Sequence, residues 1–277
     1  MGNTLESRNP VALTIAGSDS GAGAGIQADL KTFAAHGVYG CSVLTMVTAQ
    51  STQAVDAIEI LPSDLIIQQL RTVFADFDVA AIKSGALGSA GVISTVAGFL
   101  ASMEASNLVI DPVMISKHGH KLISDDAVSV LSNELLPLAL AVTPNIPEAE
   151  ALSKMSNLCS RAALVRAAEE IADLGCKAVV IKGGHSDQEP ADLVWDDGEI
   201  TWLEGERIAT PHTHGTGCTF SAAIAANLVQ GMELLDAVRA AKSYTAGAIR
   251  NHQIFGRGIN PINHFWQDNP SFGVFKH

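Results

Sequence analysis

Short apolar runs alternate along this chain with segments whose apolar residues recur at helical spacing, and few folds accommodate that order. Residues 11–16, 41–47, 79–82, 108–110, 138–143 and 178–181 read as buried strands. Between them, Ile26, Leu30, Phe33 and Ala34 keep helical spacing, and residues 65–74, 92–100, 125–136 and 162–174 predict further helices. Such repetition predicts an α/β fold: a three-layer sandwich with a central, mainly parallel sheet and helices on both faces. Residues 192–195 and 200–203, joined across Asp196-Asp197-Gly198-Glu199, predict a small hairpin at one sheet edge. No Pro/Gly/Ser-rich linker and no internal repeat interrupts the pattern. One domain over 11–264 is therefore expected, after a loose lead-in at 1–10 and before a tail at 265–277. The chain beyond Pro261 reads as a short irregular appendage.

Composition limits the partners. A net charge of -12, with no run of Lys and Arg, argues against a nucleic-acid surface. Cys41, Cys159, Cys176 and Cys218 form no C-x-x-C pair and no zinc spacing, which suits reduced thiols and a cytoplasmic protein. The first ten residues lack an apolar signal core, and no apolar run reaches the roughly 20 residues of a membrane helix, so no membrane role is expected.

The chemistry concentrates in residues 210–230. Thr213, Gly215 and Gly217 form a flexible turn, and Cys218, Ala222, Ala225, Ala226 and Val229 continue it at helical spacing. A glycine turn feeding a helix presents free N–H groups and the positive end of the helix dipole, which is an anion site. Cys218 falls in the first turn, where the same field is expected to lower its pKa and favour a thiolate. A proton acceptor beside an anion cradle points to phosphoryl transfer to an alcohol. A small buried cysteine packing an ordinary helix start is the alternative at this point.

Residues just after the strands should share one rim, because ligands of parallel sheets bind beyond the carboxyl ends. These include the loop 17–25, Gln50, Lys83-Ser84-Gly85, Asp111, Thr143-Pro144-Asn145-Ile146-Pro147-Glu148 and Lys182-Gly183-Gly184-His185. Asp111 and Glu148 offer hard oxygens for hydrated Mg²⁺, although each alone also suits a cap or a surface acid. Asp29, on the first helical turn after the loop, either faces a ligand or is a solvated carboxylate. Gln50 carries a donor and an acceptor suited to an aminopyrimidine edge, or to a loop. Lys182, followed by two glycines, suits nucleotide phosphates or an ordinary turn, and His185, His212 and His214 are either phosphate donors or plain loop histidines. Gly23-Ala24-Gly25-Ile26-Gln27-Ala28 matches G-x-G-x-x-A, but the strand at 41–47 runs into Thr48-Ala49-Gln50 with no acidic residue for a ribose, so a dinucleotide fold is disfavoured. The chain contains no Gly-Lys dipeptide and hence no Walker loop.

Taken together, residues 13–21, 25–33, 48–50, Asp111-Pro112-Val113-Met114, 143–149, 182–185 and His214-Gly215-Thr216-Gly217-Cys218-Thr219 resemble the hydroxymethylpyrimidine/phosphomethylpyrimidine kinases of thiamine biosynthesis, from about Val11 to His264. The resemblance implies a ribokinase-like sandwich that uses ATP and Mg²⁺. It implies phosphorylation of 4-amino-5-hydroxymethyl-2-methylpyrimidine and then of its monophosphate. By the same resemblance, Gln50 meets the pyrimidine edge with Gly17, Asp29 and the Ala86 position near it, Asn145 and Glu148 belong to the Mg-phosphate network, and Gly215, Thr216, Gly217 and Cys218 form the anion hole and the catalytic position. The rim reading adds Val113 to the pyrimidine pocket, Lys182 and His214 to the nucleotide and Asp111 to the metal. Ala86 departs from the family's usual methionine, which implies a wider pocket and keeps a pyridoxal or pyridoxine kinase as the nearest alternative. A non-catalytic nucleotide-binding regulator is a more distant one. A homodimer is expected.

Overall fold

The computed structural model describes residues 9–114, 123–183 and 191–268. His185 and most of the expected lead-in and tail lie outside them. Nine strands form one sheet in the order β3-β2-β1-β4-β5-β6-β7-β8-β9. They are β1 (Val11–Asp19), β2 (Gly40–Gln50), β3 (Val55–Ile60), β4 (Val79–Ser84), β5 (Leu108–Ile110), β6 (Ala141–Val142), β7 (Ala178–Ile181), β8 (Asp192–Asp196) and β9 (Glu199–Leu203). The six from β2 to β7 run parallel, while β3, β8 and β9 pair antiparallel at the edges. The parallel core and the β8-β9 hairpin are those expected from the alternation.

Side chains that alternate across each strand divide the core in two. Leu13, Ile15, Ile82, Leu108 and Ile110 face one layer, made by α2 (Ser63–Asp76), α3 (Ala90–Ser102), α4 (Asp125–Val130), α5 (Ile146–Ser153) and α6 (Arg161–Ala172). Ala12, Ala81, Val109 and Val180 face the other, against α7 (Thr216–Val229) and α8 (Leu234–Arg250), with Phe33 of α1 (Gly25–Ala35). Small residues at Ala12 and Ala81 meet a run of buried alanines, Ala222 to Ala226 with Ile224, so α7 approaches the sheet closely at its centre.

The helices start where their caps dictate. The Ser89 and Ser160 hydroxyls accept from Val92 N (3.3 Å) and Ala163 N (3.2 Å) at the heads of α3 and α6. The helix expected over 125–136 is shorter, because α4 loosens into a π turn at Leu131–Leu135 and then a 3-10 turn at Leu136–Leu138. Pro137 in that last turn has no N–H to continue the ladder, and β6, expected over 138–143, spans only Ala141–Val142. The chain after Pro261 is irregular, as expected, yet packed rather than appended: the Tyr244 hydroxyl donates to His264 O (2.5 Å) and Trp266 Nε1 donates to Tyr244 O (3.1 Å).

From β1 the chain passes to β2 on one side and later to β4 on the other. Such a reversal opens a crevice beyond the strand ends. The ends of β1 and β4 stand on it, and the N-terminus of α7 faces the same rim.

Candidate active site

The start of α7 is built by glycine. Gly215, its N-cap, has φ +81°, and a Cβ there would run into the carbonyl oxygen of Gly23. Only glycine satisfies both conditions. The chain thereby brings the turn at 213–217 onto the loop after β1, and Gly25 (φ +59°), packed on Gly17 O, closes the contact from the other side. Thr216 N and Thr219 N bond to Thr213 O and Gly215 O, whereas the N–H groups of Gly217 and Cys218 have no acceptor among the described residues. Two free donors at a helix N-terminus are what an incoming phosphoryl oxygen requires.

Asp19 ties the two loops together. It is buried and accepts from Gly21 N (2.8 Å), Gly23 N (3.1 Å), Ala24 N (2.9 Å) and His214 Nε2 (2.9 Å). Burial acts to raise its pKa, but the His214 bond and charge and the Ala24 and Gly21 amides prevail and hold it below the ordinary value. His214, expected at the nucleotide, bonds the loop through this ring nitrogen. The Gln50 amide lies 3.3 Å from the same ring nitrogen and takes the Thr48 hydroxyl at 3.2 Å, so Gln50 stands at the crevice wall.

Asp29 corrects the sequence expectation. Its side chain and that of Lys83 are both 0% exposed. Lys83 Nζ donates to both carboxylate oxygens (2.9 and 2.8 Å), and the Thr14 hydroxyl adds a third bond at 2.6 Å. Asp29 is therefore not a solvated carboxylate; a helical position next to a loop gave no sign that β4 would supply a buried lysine. Although burial alone would lower it, the charges of Asp29 and Asp111 and the hydrogen bonds to Asp29 hold Lys83 well above its ordinary value. Lys83 is thus a site-supporting residue that the strand pattern hid, since a lysine inside an apolar run reads as its end.

Cys218 is half-buried in the first turn of α7. Burial pushes its thiol up to about 12; Lys83 and the Gly25 amide oppose this, while Asp111 and Asp29 add to it. The expected lowering is therefore reversed. Burial and two nearby carboxylates outweigh the helix terminus and favour the thiol.

On the far side of α7, Lys182 Nζ pairs with Asp111 Oδ1 at 3.2 Å. A Cβ on Gly217 would stand 3.5 Å from both Asp111 Oδ2 and Lys182 Nζ, so the first helical turn lies directly against the pair. Asn145 and Glu148 form a capping box at the start of α5, each side chain 2.9 Å from the other's backbone nitrogen. Burial raises Glu148 to about 7; Lys182 lowers it, Asp111 raises it, and the Asn145 and Met114 amides lower it. Two carboxylates that repel each other beside one lysine are a hard-oxygen set short of positive charge. That fits Mg²⁺, which keeps several waters and shares phosphate oxygens.

The remaining expected residues line the crevice less closely. The carbonyl of Ala86 accepts from Gly17 N (3.1 Å) and from the Thr45 hydroxyl (2.8 Å). Met46 of β2 packs over Gly17, where a Cβ would lie 2.8 Å from its Cγ, so a methionine borders the Ala86 corner from another strand. Half-buried Val113 follows Asp111 in a tight turn, its N–H on Asp111 O at 2.8 Å. Half-buried His212 accepts from Asn260 N at 3.2 Å.

Comparison with known proteins places the chain in a family. The family described as phosphomethylpyrimidine kinase matches residues 19–263. A hydroxymethylpyrimidine/phosphomethylpyrimidine kinase of Haemophilus influenzae is 49% identical over 258 residues, covering 91% of this chain and 96% of its own. Among solved structures, a phosphomethylpyrimidine kinase of Clostridium difficile is 42% identical with TM-score 0.78, covering 87% of this chain and 99% of that one. An ADP complex of Bacillus subtilis pyridoxal kinase is 38% identical with TM-score 0.86, covering 92% and 97%.

Proposed function

This chain belongs to the phosphomethylpyrimidine kinase family, and from that premise we propose that it transfers the γ-phosphoryl group of ATP to 4-amino-5-hydroxymethyl-2-methylpyrimidine and then to the resulting monophosphate. The observation that carries this reading is the pair of unbonded amides, Gly217 and Cys218, set against Asp111 and Lys182 at the head of α7. Those amides meet the transferred oxygens, where charge is stabilised without reorganisation. Lys182 holds the phosphates, with Asn145 beside it. Asp111 and Glu148 are the residues that would hold Mg²⁺, which when bound neutralises phosphate charge.

Cys218 is the proton relay. The acceptor hydroxyl oxygen bonds to the γ-phosphorus as the bond to the β-γ bridging oxygen breaks. Its proton passes to sulfur while the thiol's own proton passes to a phosphoryl oxygen, so no free thiolate is needed. Gln50 reads the pyrimidine edge, with Gly17 and Val113 beside the ring. The acting unit is one domain, 11–264, in a cytoplasmic homodimer, for which sedimentation should give twice the chain mass.

Mass spectrometry of ATP-dependent products tests the assignment. The alcohol should yield monophosphate and then diphosphate, and absence of both refutes the reading. Ala86 and the likeness to a pyridoxal kinase structure favour one second reading, phosphorylation of pyridoxal. Pyridoxal turning over faster than the pyrimidine at equal concentration would select it.

A further inference from the structure

Behind the glycine loop lies a second cavity, of about 240 Å³, bordered by Ala22, Lys31, Phe255, Asn263 and Phe265. Gln50, Asp111, Lys182, Gly215 and Cys218 do not border it, so it is separate from the crevice described above. Asn263 is only 4% exposed. Its Oδ1 accepts from Phe265 N at 2.9 Å, but its Nδ2 has no hydrogen-bond partner. A buried amide donor left unsatisfied is a cost that folded proteins seldom carry without use. Lys31 Nζ gives one of its three donors to Ala22 O (2.8 Å), and no carboxylate among the described residues pairs with it. His264, also in the wall, is pulled down to about 3 by burial and by Lys31, and is neutral. No Asp or Glu lines the space, in a chain of net charge -12. Lys31 and Asn263 thus offer open donors, one of them charged; Thr52, Gln253 and His264 are the other polar side chains of a wall whose remaining residues are aromatic, aliphatic or glycine.

We propose that this cavity binds a small single-ring compound bearing one carboxylate or phosphate, with the anion on Lys31 and Asn263 and the ring between Phe255 and Phe265. Charge-assisted bonds from an ammonium and an amide orient the anion, and the apolar walls exclude ligands that lack a ring. Because Lys31 also holds the Ala22 carbonyl, occupancy pulls on the loop that Asp19 organises. Binding here does not depend on the proposed reaction.

Calorimetric titration of the full chain with phenyl phosphate and with benzoate separates the two anion types, with neutral benzamide as the control. At least one anion should bind saturably with Kd of about 1 mM or tighter, and benzamide about tenfold more weakly. Asn263→Asp keeps the acceptor for Phe265 N but replaces the free donor with an anionic oxygen, and Lys31→Met removes the charge. Each should weaken binding by about tenfold or more, while Gln50→Leu leaves it unchanged. In the wild-type chain the methyl signal of Ile262, which lines the cavity, should move while that of Ile110 stays, a readout that does not depend on any variant folding. The proposal is overturned by the absence of saturable binding, by an unmoved Ile262 signal, by equal affinity for benzamide, or by folded Asn263→Asp protein that binds as well as wild type.

Discussion

Lys83 and Asp29 form an ion pair inside the core beside the candidate site. Their pair is wholly buried and completed by Thr14, so removing one partner strands the other. Lys83→Met should lower unfolding stability by about 3–5 kcal/mol in urea titration, and a loss below 1 kcal/mol would show that the carboxylate had found another partner. Glu148 behaves in the opposite sense to most carboxylates. Its folded pKa, about 7, lies above the ordinary 4.5, so the folded state holds its proton where the unfolded state has lost it. Its contribution to stability is greatest below about 4.5 and is lost as pH rises through about 7, by at most about 3 kcal/mol. With metal chelated, Glu148→Gln should flatten that decline between pH 5 and 8; an unchanged slope would place its cause elsewhere. The roles proposed for Cys218 and Gln50 rest on motifs already present in the sequence, but the thiol's protonation was not legible there. That depends on Asp111 and Asp29, which reach it from β5 and α1 only in three dimensions.

Among the elements, α7 is the most constrained, because its alanine face sets the depth at which its N-terminus meets the sheet ends. Gly215→Ala would force a side chain into left-handed backbone and against Gly23 O. It should cost about 2 kcal/mol in thermal unfolding and about a hundredfold in turnover by misplacing the amides; turnover within twofold of wild type would detach this turn from catalysis. The strands β5 and β7 lie where their apolar runs put them. By contrast β3, α5 and α8 were not legible. Five of the six β3 residues are exposed at the sheet edge, and α5 has only eight residues, headed by a capping box that also reads as a loop. α8 keeps its partners Tyr244 and Ala248 for α7 and the 261–266 segment, contacts that no local period announces.

For the whole molecule, a mainly parallel sheet with helices on both faces followed from the alternation, because parallel strands joined by helices leave few other arrangements, while its ribokinase-like character was implied by the family motifs. The crevice followed from the strand order at β1. What the sequence concealed were the long-range ties: Asp19 to His214 across 195 positions, and Lys182 to Asp111 across 71. These ties bring the amides, the cation and the sulfur to one place, and the account stands on their acting together. The most direct test compares ATP-dependent phosphorylation of the pyrimidine alcohol by wild type and Cys218→Ala, with ADP affinity measured alongside. The account predicts a fall in kcat of about 10²–10⁴-fold with ADP binding unchanged; turnover equal to wild type would contradict it.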